Sequence, residues 1–323
     1  MSVTVREAAG PAVERVRAYF APVDRESGNA TVFDPATDGR FAAGSPPEAW
    51  VDLGWVSGFK RSSGSKVVAL ENGAPAIATA QARQETGASV ELSFQAWGKL
   101  QMALAGESQA MNVLAPAEFV VHSGSGGTGA NAVPVLSGST ATVLQVGSSV
   151  AAGFAVGDVV AVDVDYGSQV GFVGSGMSGA YVRSADAVAG DANYVRRVSW
   201  NVGRIVAVTG GALTLASPLL AGTPDTSMKV SKVLGFADRE GGSFFPEWSA
   251  LFVADGAQGD RVLFHYPRLQ PMKTVEEAPQ ELAGSWEQWG LKAAFRALPV
   301  TDPNDGERVV CFRTYLPAQM RAV

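Results

Sequence analysis

The residues best suited to acid–base or metal chemistry in this 323-residue chain are its two histidines, His122 and His265. Each stands in a strand-like run, Glu118-Phe-Val-Val-His122 and Arg261-Val-Leu-Phe-His-Tyr266, and the runs are far apart. No HExxH, CxxC or His-rich cluster accompanies them, so the spacing offers no zinc site. Neither a GxSxG elbow nor a Walker loop is present. A triad assembled from distant residues leaves no local spacing. With no signature for one, the chain is read as a non-enzyme without a cofactor. Its single cysteine, Cys311, has no partner for an internal disulfide. In the strand-like run Val309-Val-Cys-Phe-Arg313 it reads as a buried small hydrophobe rather than a reactive thiol.

Two acidic groups could supply oxygen ligands. Asp163 and Asp165 share a strand face with Asp158 nearby, and Asp302, Asn304, Asp305 and Glu307 crowd one turn. Ca²⁺ would suit such oxygens, but neither group has the full loop spacing with a closing bidentate Glu. A solvated turn is the simpler reading. Gly124-Ser-Gly-Gly-Thr-Gly129 spells GxGxxG, yet Ala130-Asn-Ala-Val-Pro134 follows where a helix should open to receive a pyrophosphate. It reads as a Gly/Ser hairpin loop.

The elements that position these residues are mostly strands. Residues 76–106 organise the chain: Ala78, Ala80 and Ala82, then Val90, Leu92 and Phe94, alternate with polar residues. Period two predicts strands with one buried face, and Gly87 between them predicts a turn or a bulge. Trp97, Leu100 and Leu104 then fall on one face of a short helix, with Ser93 a candidate N-cap and Gly106 closing it. Before this stretch, Val51, Leu53, Trp55 and Ser57 share a strand face, and Arg61-Ser-Ser-Gly-Ser-Lys66 reads as a polar hairpin tip. Residues 1–48 read as an extended arm in which 16–20 form either a short helix or a strand. Residues 135–233 carry five or six short Val-rich strands, with Gly210-Gly211 a two-residue hairpin loop. Residues 250–253, 261–266, 289–295 and 309–315 read as strands around the turn at 302–306. A helix from Ser285 competes in the third of these, weakened by Gly290.

Composition agrees with a β-rich chain. There are 37 Gly and 17 Pro, 46% hydrophobic residues and only 17% charged ones. The length suits two compact domains. So few charges fit a surface covered by neighbours, and equally a compositional bias toward Ala and Val. The net charge of −6 comes with no Lys/Arg-rich run, which argues against tight nucleic-acid binding. No apolar run approaches the roughly 20 residues of a membrane span. The first residues lack an apolar leader, so the expectation is cytoplasmic synthesis and assembly with no membrane partner.

Trp50-Val-Asp-Leu-Gly-Trp-Val-Ser-Gly-Phe-Lys-Arg61, the strand from Arg83 to Ser93, Trp97-Gly-Lys-Leu-Gln-Met-Ala103 and the run from Gly259 to Leu316 together resemble a bacteriophage or prophage tail tube protein. The resemblance covers roughly the first 115 and the last 90 residues. It implies a tail-tube-like β-barrel or sandwich with one flanking α-helix, formed by 1–117 and 234–323. Residues 118–233 would then be an inserted β-rich barrel or sandwich, decorating the tube exterior. The implied protein is a structural virion subunit. Its partners would be copies of itself in stacked hexameric rings, other tail proteins, and viral DNA passing through without sequence-specific binding. Trp55, Phe59, Arg61, Lys66, Trp286 and Trp289 are the candidate interface residues, against the simpler reading that the aromatics among them fill a core. The alternative function is a β-rich receptor- or carbohydrate-binding virion module that forms no tube, marked by exposed aromatic platforms in residues 135–233.

Overall fold

A computed structural model describes residues 13–23, 29–47, 49–106, 109–115, 128–129, 132–164, 172–173, 201–219, 222–239, 247–272, 276–281 and 287–318. The first half runs β1 (Val13–Pro22), α1 (Pro35–Asp38), β2 (Val51–Asn72), β3 (Ile77–Phe94), α2 (Lys99–Ala105) and β4 (Gln109–Leu114). The middle runs β5 (Thr128–Gly129), β6 (Ala132–Pro134), β7 (Val143–Gln145), α3 (Ser148–Ala151), β8 (Val159–Val164), β9 (Phe172–Val173), β10 (Val202–Thr209), β11 (Ala212–Leu215) and β12 (Met228–Arg239). The end runs β13 (Trp248–Gly256), β14 (Arg261–Pro271), β15 (Glu276–Glu281), β16 (Glu287–Ala297), β17 (Val300–Thr301), β18 (Arg308–Val309) and β19 (Phe312–Leu316). The protein is mainly β, in antiparallel sheets, as its turn-rich composition predicts. No described helix is long and apolar enough to cross a membrane.

The chain divides into two compact units, 1–97 with 245–323, and 98–244. The expected boundaries at 117/118 and 233/234 differ from this division. β4 pairs along the C-terminal half of β12, from Val233↔Leu114 to Arg239↔Gln109. Together with α2 it therefore belongs to the second unit, so the helix expected to flank the first barrel does not lie in it. A pairing across more than a hundred residues leaves no local trace in the sequence.

In the first unit the sheet order is β15-β16-β3-β2-β1-β13-β14-β19, and β14 also pairs with β16. That last ladder, Leu269↔Ala297 to Pro271↔Phe295, returns the sheet on itself, so six strands form a closed ring with β15 and β19 as outer additions. Ring contacts between strands that are not neighbours identify the interior. Phe20 on β1 lies 5.6 Å from Phe295 on β16, and Phe59 on β2 lies 5.0 Å from Phe252 on β13. The opposite face of β1, β13 and β14 is buried as well. There Tyr19, Ala21, Leu251, Val253 and Leu263 pack under Phe33, Phe41 and Trp50 from the segment between β1 and β2.

Strand β1 decides the choice at 16–20 in favour of a strand, and makes 13–22 part of the barrel rather than of an extended arm. It sits between β2 and β13, with Ala18, Tyr19, Phe20 and Ala21 buried. Gly54 and Gly58 take φ of +83° and +61°, where a Cβ would be strained. At both, the register of β2 slips by one residue. The second bulge lets Val56 and Phe59, three residues apart, both serve the interior, which a strict alternation forbids.

The second unit orders its main strands β4-β12-β8-β10-β11-β7, with β6 also on β12. Val135 N–H donates to Met228 O at 3.0 Å and Leu136 N–H to Gln145 O at 2.8 Å. The chain leaving β6 thus bridges β12 and β7, and hydrogen bonds run around the whole ring. Its core is Leu144, Val160, Val162, Ile205, Leu213, Leu215, Met228 and Val230 with small neighbours. Gly210 and Gly211, at φ +59° and +97°, make the two-residue turn between β10 and β11 as expected. The strands expected at 180–183 and 194–198 lie outside the described residues.

Candidate functional site

The longest feature of the first unit is the hairpin of β2 and β3. β2 pairs with β1 only as far as Val56, and β3 pairs with β16 only from Ala88. Beyond those points the two strands pair with each other alone, through Gly64↔Gly87 out to Asn72↔Ile77. The nine residues from Gly64 to Asn72, at about 3.3 Å each, make a free ribbon of about 30 Å. Of its described side chains only Val68 is even half-buried. Val67, Leu70 and Ile77 are 48%, 52% and 66% exposed.

This geometry revises four expectations. Arg61 to Lys66 are not a hairpin tip but run within the ladder, opposite Val90 and Glu85 at their ends. The turn lies at 73–76, where Gly73 has φ +96°. Gly87 does not turn the chain; it faces Gly64 within one continuous strand. Ala78, Ala80 and Ala82 alternate, yet both faces of this part of the strand are exposed. Ser93 is likewise within β3 and caps nothing, since α2 begins at Lys99 after Gly98.

Of the expected interface residues that are described, Phe59 and Arg61 meet at the Phe264 ring inside the barrel, and the others lie apart from them. Trp55 is half-buried, with the guanidinium carbons of Arg15 and Arg17 at 4.3 and 4.9 Å from its ring centroid. Arg17 is held in turn by Asp52, its Nε donating to Oδ1 at 2.9 Å and Nη2 to Oδ2, and this partnership raises its pKa. Phe59 packs inside the barrel against Phe252 and Phe264. Arg61 joins the same interior, its Nε donating to Tyr266 Oη at 3.0 Å and its guanidinium over the Phe264 ring at 5.2 Å. Burial pushes the Tyr266 hydroxyl up to about 12, so it stays protonated in ordinary buffers. Lys66 is exposed on the ribbon. Trp289 lies past the part of β16 that pairs with β3, opposite Pro279 on β15, and is 55% exposed. Trp286 lies outside the described residues. The readings that the sequence missed are Val67, Leu70 and Ile77. The signal for the first two was the unalternating apolar run Val67-Val-Ala-Leu70, which ends at Glu71.

Of the candidate ligand carboxylates, Asp158, Asp302 and Asp305 are bonded internally. Asp158 accepts from Lys232 Nζ at 2.7 Å and from Ala155 N–H at 2.9 Å, and the lysine bond lowers its pKa. Asp163 stands opposite Lys229 in the β8–β12 ladder; Asp165 lies outside the described residues. Asp302 Oδ1 accepts from Asn304 N–H and Nδ2, and Asp305 Oδ1 from Glu307 N–H, so these carboxylates brace their own turn. Among the described residues no group of three or more His, Cys, Asp or Glu could hold a metal ion.

His265 is 5% exposed and lies among the rings of Trp50, Phe33 and Phe312. Cys311 lies between strands rather than in one and is half-buried, its thiol pKa raised by burial. His122 and positions 124–127 of the glycine run lie outside the described residues, while Thr128–Gly129 open as strand β5. A scan against protein-family models finds no match to this chain, and neither does a search of curated proteins.

Proposed function

We propose that this chain is the subunit of a phage or prophage tail tube, assembled from stacked hexameric rings around a channel for DNA. The observation that carries the reading is the β2–β3 ribbon. An isolated two-stranded ribbon is marginal in water, and this one presents Val67, Leu70 and Ile77 to solvent with no cover from its own barrel. Docking against another copy would bury those side chains and hold the ribbon straight. The closed barrel from which it springs supplies a rigid base. In the resembling family, such barrels sit side by side in a ring, and head-to-tail contacts of one kind either close a ring or extend a filament. A net charge of −6 suits a channel that DNA traverses without adhering.

The binding-module reading looked for aromatic platforms in residues 135–233. The large exposed hydrophobics described there are Leu136, Val156 and Val206, all aliphatic, so no specific observation favours it.

Negative-stain electron microscopy of the purified protein, with its sedimentation profile, tests the tube. Rings or hollow tubes are expected. A homogeneous monomer at high concentration, still unassembled beside tail initiator components, would overturn the proposal.

A further inference from the structure

Residues 29–47, followed by Trp50, form a strap over the outer face of β1, β13 and β14. The main-chain bonds described within it are local turns, such as Gly39 N–H to Pro35 O and Ser45 N–H to Ala42 O. Its polar anchors to the barrel are side-chain bonds. Tyr19 Oη donates to Ala43 O at 2.9 Å, and Arg261 Nη1 donates to Gly39 O and Phe41 O at 3.1 and 3.0 Å. Towards its start, Thr31 is held by two side chains. Thr31 N–H donates to Ser249 Oγ at 2.9 Å, and Thr31 O lies 3.2 Å from His265 Nε2. A carbonyl can only accept, so His265 carries its proton on Nε2. Beneath the strap lies the apolar face of Tyr19, Leu251, Val253 and Leu263.

We propose that this strap is an acid-released latch, triggered by the enclosure of the His265 ring beneath Phe33 and Trp50, and that release uncovers the apolar face beneath it. The inference does not rest on the tube reading. The geometry determines the direction. His265 is enclosed by Phe33 and Trp50 from the strap, Phe312 from β19 and Leu251 opposite it on β13, none of which is charged. The nearest charge on β19, Arg313, stands opposite Phe264 and hence on the other face. On its own strand Arg261 faces the strap too, but is held by Asp255. A second proton on the imidazole would therefore meet no carboxylate in this cage, and a buried unpaired charge is expensive. Burial accordingly lowers the pKa of His265 to about 4. With the strap lifted, the ring would titrate near its ordinary value of about 6.5. Protons thus bind the open form first, and acid favours opening.

Hydrogen exchange of peptides from 29–47, corrected for the intrinsic pH dependence, reads the latch directly. Between about pH 7 and about pH 4.5 the strap of the wild-type protein is expected to lose at least tenfold of its protection, approaching about a hundredfold by linkage, with β13 changing less. His265→Gln keeps a side-chain N–H donor but cannot titrate, so its strap should hold nearly constant protection. Ser249→Ala removes the other side-chain partner of Thr31 and should lower protection equally at both pH values while keeping the wild-type slope. Wild-type protection unchanged at about pH 4.5 overturns the proposal, as does a parallel loss in wild type and His265→Gln. Should the glutamine variant not fold, the wild-type imidazole resonance decides. Strap opening must track proton uptake by His265, and opening without uptake refutes the latch.

Discussion

The two units each carry hydrogen bonds around a closed ring of strands, and they fill that ring with different chemistry. Inside the first, Phe20, Phe59, Phe252, Phe264, Tyr266 and Phe295 meet edge-on or tilted across the interior. Inside the second, the fully buried side chains are Leu144, Val160, Val162, Ile205, Leu213, Met228 and Val230. Rings fill volume in large rigid pieces with directional contacts, whereas aliphatic chains fill it in small ones. The covering differs too. The first barrel has a strap over part of its outside, so β13 is buried residue after residue from Trp248 to Ala254. In the second, β10 buries Gly203 and Ile205 and exposes Arg204 and Val206. A wet outer face restores the alternation that a covered one erases.

The largest expected effect separates the two cores. Phe252→Ala should cost about 3–5 kcal/mol by removing a ring that touches those of Phe20, Phe59 and Tyr266, and Leu213→Ala about 2–5 kcal/mol. Native-state hydrogen exchange should show the first loss in β13 and β14 and the second in β10 and β11. A uniform loss across both units in either variant would break the comparison. Next comes acid. Since the folded pKa of His265 lies below the unfolded value, the unfolded chain takes up its proton first as pH falls. Stability held above about pH 6.5 is therefore lost progressively down to about 4, amounting to about 3 kcal/mol. Urea midpoints across that window should fall in wild type and stay flatter in His265→Gln. His265 places this effect in the strapped barrel.

A smaller effect tests the second barrel's turn. Gly211 has φ +97°, and a Cβ there would lie 2.8 Å from Ser148 N, so Gly211→Ala should cost about 1–3 kcal/mol by thermal denaturation. The smallest stability change is expected on the ribbon. Leu70→Ser should shift unfolding by less than about 0.5 kcal/mol, because the side chain is already half in water. It should nonetheless weaken assembly in sedimentation if the ribbon docks on another copy.

The β class, the Gly210-Gly211 turn and the strand character of 289–295 were legible because each is decided by neighbours in sequence. What escaped was decided by distant ones. β1 becomes a central strand through Asp52 and Trp55 on one side and Leu251 and Val253 on the other, none of which the run at 16–20 announces. Trp289 keeps phase with Leu291 and Phe295 but lies past the end of the β3 pairing, so the same alternation gives one exposed and two buried rows. Phe59 could read as interface or as core, and Arg61 as a surface residue, because two glycine bulges change the face that follows them; Phe59 fills the core. Period two establishes that a segment is a strand; which face is dry depends on what covers it. For the ribbon, strand character was legible on both sides, but each strand was broken, at 61–66 and at Gly87, since Ser and Gly at 62–65 suit a tip as well as they suit an exposed ladder.

The ribbon also has a mechanical character. Its cross-strand hydrogen bonds lie perpendicular to its axis, and both of its strands continue into the barrel, one along β1 and the other along β16. A pull on the turn at 73–76 along that axis would divide between two anchored strands and load those two ladders in shear. Many bonds would then have to yield together rather than one after another, so the hairpin is built as a tension member, stiff along its length and compliant only sideways.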